Sequence, residues 1–495
     1  MLNFTDYLFE SSGDLGTKAL VYNGGEDSFA DLSSRVLGAS RHLAQAYSQK
    51  SLIGIYSTNS PFFVENYLSI VGSGNVAVFL DIRMPSADMS KLVDHHQISA
   101  LLAEPRHSKR LRKTHRTDIP IVSHASDISP LNTQGRASRR RPLPEELALV
   151  IFTSGSSGDR KGVMLTHRNL VANTESILKY LNISANDRMN VILPFSYSYG
   201  LSLLNTHLRV GASLYLHNSP HIGSIISELE EYKCTGLAGV PSTFQILLKR
   251  TPFLTSKLHS LRYLTVAGGK LDEKYVKQMT SSLHHLDFYI MYGATEATAR
   301  LSYLSPELVG RKPGSIGKAI DGVTLELVGE GGGPVSEGEI GEIVARGQNI
   351  MLGYLDDPGG TRQVLSDGRY STGDLARRDE DGDLYIVDRK NSLIKSMGFR
   401  VSPLAVERVL RDHPLAESAV VFGAKDDAVG EIVMTVVQPS SGTNTEELKR
   451  ELLDHCHKRL ASFEVPQRIE FVESLPLTSA GKVDLTQLKK RYNTT

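Results

Sequence analysis

Short apolar runs rich in Val, Ile and Leu recur before residue 320, with helical stretches between them. They are SLIGIYS at 51–57, VAVFLDI at 76–82, ISALLA at 98–103, LALVIFT at 147–153, MNVILPF at 189–195 and LRYLTVAGG at 261–269. Runs this short and continuous suit strands buried on both faces, whereas a half-exposed strand alternates apolar and polar residues. Several end in Gly, Ser or Pro, which punctuate strands. Between them, stretches such as GSIISELEEYK at 223–233 read as helices. The alternation predicts an α/β architecture with parallel strands.

A chain of 495 residues is too long for one core, so one large and one small domain, or two to three units, are expected. After about residue 320 the pattern changes to strand, Gly-rich turn, strand, and GEGGG at 329–333 reads as a hairpin connection. From 389 onward it is mixed. SPLAVERVLRDHP predicts a helix with Ser402 as N-cap and Pro403 at its first position. SAVVFGA and EIVMTVVQP predict strands, and 443–466 predicts a further helix. A small α+β domain is therefore expected at 389–495.

Lys plus Arg and Asp plus Glu each total 55, so no net charge draws the chain to nucleic acid or to an anionic membrane. Two cysteines, Cys234 and Cys456, far apart, argue against a disulfide framework and fit a reducing compartment. The N-terminus is acidic rather than basic-then-apolar, and no run approaches the length of a membrane span. The expected location is the cytoplasm. The basic stretches 106–116 and 136–141 read as solvated surface, because no aromatic residues interleave with their charges. The pairs His95-His96, His284-His285 and His455 with Cys456 and His457 lack the spacing of a zinc site and read as surface or core histidines.

The chemistry-bearing segments come in a fixed order. Thr153-Ser-Gly-Ser-Ser-Gly-Asp-Arg-Lys-Gly162 follows a strand and precedes another apolar segment. Its glycines permit close backbone approach to a ligand, its hydroxyls and N–H groups suit phosphate oxygens, and Lys161 adds charge. The spacing is not that of the Walker loop. Then come Tyr292-Gly-Ala-Thr-Glu296, Ser371-Thr-Gly-Asp-Leu375, Tyr385-Ile-Val-Asp-Arg-Lys390, Ser396-Met-Gly-Phe-Arg400 and Pro476-Leu-Thr-Ser-Ala-Gly-Lys482-Val-Asp484.

This ordered set resembles the adenylate-forming superfamily of acyl-CoA synthetases, nonribosomal peptide synthetase adenylation domains and luciferases, over about residues 20 to 490. The resemblance implies an α/β fold with a large N-terminal AMP-binding domain of layered sheets and helices (1–388). A small, mobile C-terminal α+β domain (389–495) would carry the catalytic lysine. It implies ATP and Mg²⁺, with Thr153, Ser154, Gly155, Ser156, Ser157, Gly158 and Lys161 holding the β- and γ-phosphates. Tyr292 and Gly293 would meet the adenine, and Gly268 and Gly269 would line the base or the acyl pocket. Thr295 would touch the α-phosphate, Glu296 would bind Mg²⁺, Asp374 would take the ribose hydroxyls, and Arg389 would sit near ribose and phosphate. Lys482 would be the lysine of adenylation.

Such roles fit the chemistry. A carboxylate attacking a phosphate brings two anions together, so positioning and positive charge do most of the catalysis. On the same resemblance the small domain turns between two half-reactions about a hinge at Asn391, where related chains often carry Asp or Lys. That turn would bring Gly398, Phe399 and Arg400 to the thiol side. Where many acyl-CoA ligases have His, this chain has Tyr197, and no Asp for an α-amino group is found beside Ser196. An amino acid is thus the less expected substrate. Tyr197, Tyr199, Gly200 and Ser242 are the expected acyl-pocket residues, with Gly268 and Gly293 beside them. The expected activity is an AMP-forming carboxylic acid ligase, with a small-molecule acid and CoA as partners. The alternative is a freestanding adenylation enzyme that loads the phosphopantetheine thiol of a carrier protein in trans. No nucleic-acid partner and no membrane span are expected.

Overall fold

The computed structural model of the chain describes residues 3–10, 15–84, 86–114, 119–124, 127, 142–154, 160–217, 219, 221–390, 392–396, 399–426, 430–478 and 481–492. It divides into two compact units, residues 1–325 with 345–370, and 326–344 with 371–495. This division assigns 371–388 to the second unit, whereas the sequence reading draws its boundary at 389.

In the first unit, the apolar runs form strands of two sheets. One is seven-stranded, in the order Gly353–Tyr354, Arg160–Thr166, Leu147–Ser154, Val76–Leu80, Leu52–Tyr56, Ala100–Ala103, Ile121–Val122. The last five run parallel, and Arg160–Thr166 runs antiparallel to both of its neighbours. The other takes Asp287–Tyr292, Tyr263–Val266, Gly236–Gly239, Arg188–Val191, Ser213–Leu216 and Lys18–Tyr22 as parallel neighbours. Ser302–Leu304 and Ser315–Ala319 follow antiparallel beyond Asp287–Tyr292. The strands Val76–Leu80, Ala100–Ala103 and Tyr263–Val266 are buried at every position, which explains why they read as unbroken apolar runs.

Helices start where the sequence offers caps. Thr166 accepts from the Asn169 N–H while the Asn169 side chain takes the Thr166 N–H, opening the helix His167–Leu181. Ser60 caps Pro61–Gly72, with Pro61 at the first position.

His207 and His167 are buried in this unit. The His207 Nδ1–H donates to the Leu203 carbonyl at 2.8 Å, and the Tyr263 hydroxyl donates to Nε2 at 2.9 Å. His167 Nδ1 accepts from the Phe4 N–H at 3.1 Å. Burial pushes both imidazoles down to about 4. The unfolded chain takes up these protons near an ordinary histidine value of about 6.5, whereas the folded chain refuses them until about 4. Stability therefore falls as pH drops through that window. Thermal unfolding followed from pH 7.5 to pH 4.5 should show this slope. His207→Gln, which keeps a donor and an acceptor but cannot titrate, should flatten it; an unchanged slope would exclude His207 as a source.

The second unit holds a five-stranded sheet in which Phe399–Val401, Ile394–Ser396, Gly430–Pro439 and Ala416–Asp426 are successive neighbours and Arg468–Phe471 also joins Gly430–Pro439. Helix Pro403–Arg411 starts as the sequence predicts, Ser402 accepting from the Ala405 N–H. Helices Thr445–His457 and Leu485–Tyr492 complete the α+β arrangement. The run at 329–333 is a turn: Val328 bridges Pro334, and the Gly329 N–H donates to the Gly333 carbonyl.

Candidate functional site

Gly155, Ser156, Ser157 and Gly158 lie outside the described residues, but the hairpin that carries them is defined. Thr153 stands opposite Lys161 and Ser154 opposite Arg160 in the antiparallel pair Leu147–Ser154 with Arg160–Thr166. The loop therefore leaves and re-enters at adjacent points of one sheet. The Lys161 ammonium stands 3.9 Å from the Asp357 carboxylate and 4.7 Å from the centre of the Tyr354 ring.

Tyr292 ends its strand, and Thr295–Ala297 form one short 3₁₀ turn just beyond it. The Thr295 hydroxyl is 3.1 Å from the Ser198 hydroxyl. Glu296 Oε1 accepts from the Tyr354 hydroxyl at 2.8 Å, and Oε2 accepts from no described residue. One carboxylate with an open oxygen on a short turn fits Mg²⁺, which is held by one or two carboxylates together with substrate phosphates.

The turn is held by residues that the sequence reading did not single out. The Asn349 side chain donates to the carbonyls of Ala297 and Arg300 at 3.2 and 2.9 Å, and the Thr298 hydroxyl donates to the Asn349 carbonyl at 2.7 Å. The Met351 N–H donates to the Glu296 carbonyl at 2.8 Å. Asn169, already part of its helix cap, donates to the carbonyls of Gln348 and Ile350, both at 2.7 Å. Residues 348–355 thus stitch the Tyr292–Glu296 turn to the hairpin of Leu147–Ser154 and Arg160–Thr166.

Of the expected acyl-pocket residues, Tyr199 donates from its hydroxyl to Thr265, and the Arg300 guanidinium lies 4.8 Å from its ring centre. Arg300 is the largest fully buried side chain among the described residues. The Tyr197 hydroxyl donates to Asp81 at 2.8 Å. Gly200 is pressed against the Pro194 carbonyl. Ser242 lies in the first turn of Pro241–Arg250, and Gly269, where a Cβ would stand 3.4 Å from Pro241, faces that turn. Gly268 has φ +89°, a conformation glycine adopts freely.

In the second unit, Asp374 stands opposite Arg389 in register, and the Arg389 Nε donates to its carboxylate at 2.8 Å. Asp374 is buried while the Arg389 side chain is 69% exposed. Phe399 is exposed and stacks on Phe463, with ring centres 4.2 Å apart. The Arg400 backbone pairs with Lys395. Asn391 and Gly398 lie outside the described residues. Lys482 stands exposed on a tight turn in which the Thr478 N–H donates to the Lys482 carbonyl and Leu477 bridges Val483.

The basic stretch at 106–114 lies on the helix Pro105–Thr114, where Leu111 is buried and the Arg112 guanidinium donates to the Ile121 carbonyl; 115–116 and 136–141 lie outside the described residues. His96 is buried and bonds Asp356 at 2.7 Å, and their donor atoms, with that of His95, lie within 4.8 Å of one another. Spacing along the chain could not find Asp356, which comes from a distant segment.

The AMP-binding enzyme family model matches residues 12–355, and the model of the AMP-binding enzyme C-terminal domain matches 405–482. A feruloyl-CoA synthase from an Amycolatopsis species is 30% identical over 96% of both chains. An indoleacetate–CoA ligase from Aromatoleum aromaticum is 29% identical, again over 96% of both. ATP-bound MatB from Rhodopseudomonas palustris superposes with a TM-score of 0.90 at 24% identity, covering 100% of this chain and 99% of that one.

Proposed function

This chain belongs to the AMP-binding enzyme family, and we propose that it activates a carboxylic acid as its acyl-adenylate and passes the acyl group to CoA. The acid's carboxylate attacks the α-phosphate of ATP, an acyl–phosphate bond forms, and pyrophosphate leaves. The CoA thiolate then attacks the acyl carbon, a thioester forms, and AMP leaves. The observation that carries this reading is Thr295 and Glu296 on one braced turn, with an open carboxylate oxygen, stitched to the hairpin that bears Lys161.

In this reading, Mg²⁺ would be held by Glu296 and would neutralise phosphate charge. Residues 153–158 and Lys161 bind the β- and γ-phosphates, Thr295 the α-phosphate, and Tyr292, Gly293, Gly268 and Gly269 the base or the acyl pocket edge. The buried Asp374 carboxylate would accept from the ribose hydroxyls, with Arg389 beside it. Lys482 brings positive charge to the attacking carboxylate and the α-phosphate. The segment 389–495 turns between the two half-reactions about Asn391 and presents Gly398, Phe399 and Arg400 for thioester formation. Among the described residues no helix is long and apolar enough to cross a membrane, and we place the enzyme in the cytoplasm.

The acid is proposed to be aromatic, because two relatives matched over 96% of both chains are a feruloyl-CoA synthase and an indoleacetate–CoA ligase. ATP–pyrophosphate exchange with cinnamic, arylacetic, fatty and amino acids tests this directly. Exchange is expected with an aromatic acid, and added CoA should then yield a thioester. Exchange that produces no thioester with CoA, but acylates a phosphopantetheinylated carrier, would replace the CoA assignment. Folded protein that binds ATP yet exchanges with no member of the panel would overturn the adenylation reading for these acid classes.

A further inference from the structure

Tyr354 touches both charged elements of the candidate nucleotide site, yet it belongs to neither. Its hydroxyl donates to Glu296 Oε1 at 2.8 Å, and its ring lies 4.7 Å below the Lys161 ammonium. Its backbone leaves little freedom: Tyr354 pairs with Val163 in the sheet, its N–H donates to the Thr361 hydroxyl at 2.9 Å, and the next residue's N–H donates to the Gly162 carbonyl at 2.7 Å. The Asp357 carboxylate, three residues on, stands 3.9 Å from Lys161. One short strand and turn therefore address the lysine twice and the glutamate once.

From this geometry we propose that Tyr354 is a positioning residue: it orients the Glu296 carboxylate for a magnesium ion and fixes that carboxylate relative to Lys161. The proposal rests on the reading of Glu296 as the Mg²⁺ ligand of an ATP site. The physical logic is that of an outer partner orienting a metal-ligating carboxylate. By occupying Oε1 the hydroxyl selects Oε2 for the metal. The ring also offers its electron-rich face to Lys161, so Lys161 and Glu296 are referred to one rigid body.

A merely packed tyrosine would share the burial, and the test must separate the two. The readout is equilibrium ATP binding titrated with Mg²⁺, which requires no knowledge of the acid. Tyr354→Phe keeps the ring and loses the hydroxyl. It should raise the Mg²⁺ concentration for half-maximal ATP binding by about 10- to 100-fold, as expected when an outer partner of a metal-ligating group is lost. In a Glu296→Gln background the same change should produce no further shift, because the group it orients is gone. Tyr354→Leu should in addition weaken ATP binding at saturating Mg²⁺. A wild-type response in Tyr354→Phe, or an equal shift with and without Glu296, would overturn the proposal. So would ATP binding that ignores Mg²⁺ altogether. Mg²⁺-dependent ATP binding that meets these expectations, in a protein that exchanges with no acid, would sink the adenylation reading and leave this one standing. If Tyr354→Leu fails to fold, the near-isosteric Tyr354→Phe and the double variant still decide.

Discussion

Replacing Lys482 with alanine is expected to lower ATP–pyrophosphate exchange by about 100-fold or more, the scale seen when one preset electrostatic contact to a transition state is removed. The cause is local to the chemistry. Two anionic groups must meet, and no neutral side chain at this position can offset their repulsion. The fold should be untouched, because Lys482 is exposed and an alanine keeps its backbone bonds: Lys482 N–H to the Thr478 hydroxyl at 3.2 Å and Thr478 N–H to the Lys482 carbonyl at 2.6 Å. Surface substitutions of this kind usually change stability by less than about 0.5 kcal/mol. The measurement is the exchange rate with the best acid beside a thermal melt. Exchange within threefold of wild type would remove Lys482 from the adenylation step. ATP binding should meanwhile persist, since the loss is expected in the chemical step.

Gly293→Ala is expected to disable the protein by a different route, through the backbone of the Tyr292–Glu296 turn. A Cβ there would lie 1.9 Å from the Ala299 carbonyl oxygen, 2.8 Å from its carbon and 2.9 Å from Arg300 Cα. All three are main-chain atoms, so no side chain can swing aside. The loop is closed by the Leu301 N–H to the Tyr292 carbonyl at 2.9 Å and is backed by the buried Arg300. Relief therefore means moving Thr295 and Glu296. Overpacking of this kind costs about 1–3 kcal/mol and occasionally more. We expect a lowered melting temperature and a loss of exchange of at least tenfold, following about 1.4 kcal/mol per decade. Gly331→Ala, where nothing lies within 4 Å of the added carbon, is the control and should be neutral. A Gly293→Ala protein with wild-type melting and exchange would refute the steric argument.

Much of the architecture was legible because its signals are local. A strand buried on both faces must be apolar throughout, and Val76–Leu80 and Ala100–Ala103 are. The helix at Pro403 announced itself through Ser402, whose side chain makes the predicted bond. The motif order was legible too, though as a likeness between whole patterns rather than from the physics of any one residue. What escaped was every contact between distant segments. Asn169 reaches Gln348 and Ile350, Asn349 reaches Ala297, Tyr354 reaches Glu296, and Asp356 reaches His96. None of these partners lies at a helical or strand period from the other, so no periodicity could pair them. Tyr354 was one of 19 tyrosines, and no motif singled it out. Tyr197 shows the same limit: its hydroxyl is engaged by Asp81, a residue no local pattern links to it.

The edge position of Gly353–Tyr354 beside the glycine-rich hairpin also bears on how the protein is made. Leu352 and Leu355 bond to Met164 and Gly162, so the loop's returning strand waits for its outer neighbour until nearly two hundred further residues have left the ribosome. Contacts closed over such separations form late and slowly. A nascent chain halted before residue 350 would have made the glycine-rich loop and the Glu296 turn but not the brace between them. Nucleotide binding should therefore arise abruptly, late in synthesis, rather than accumulate as the motifs emerge.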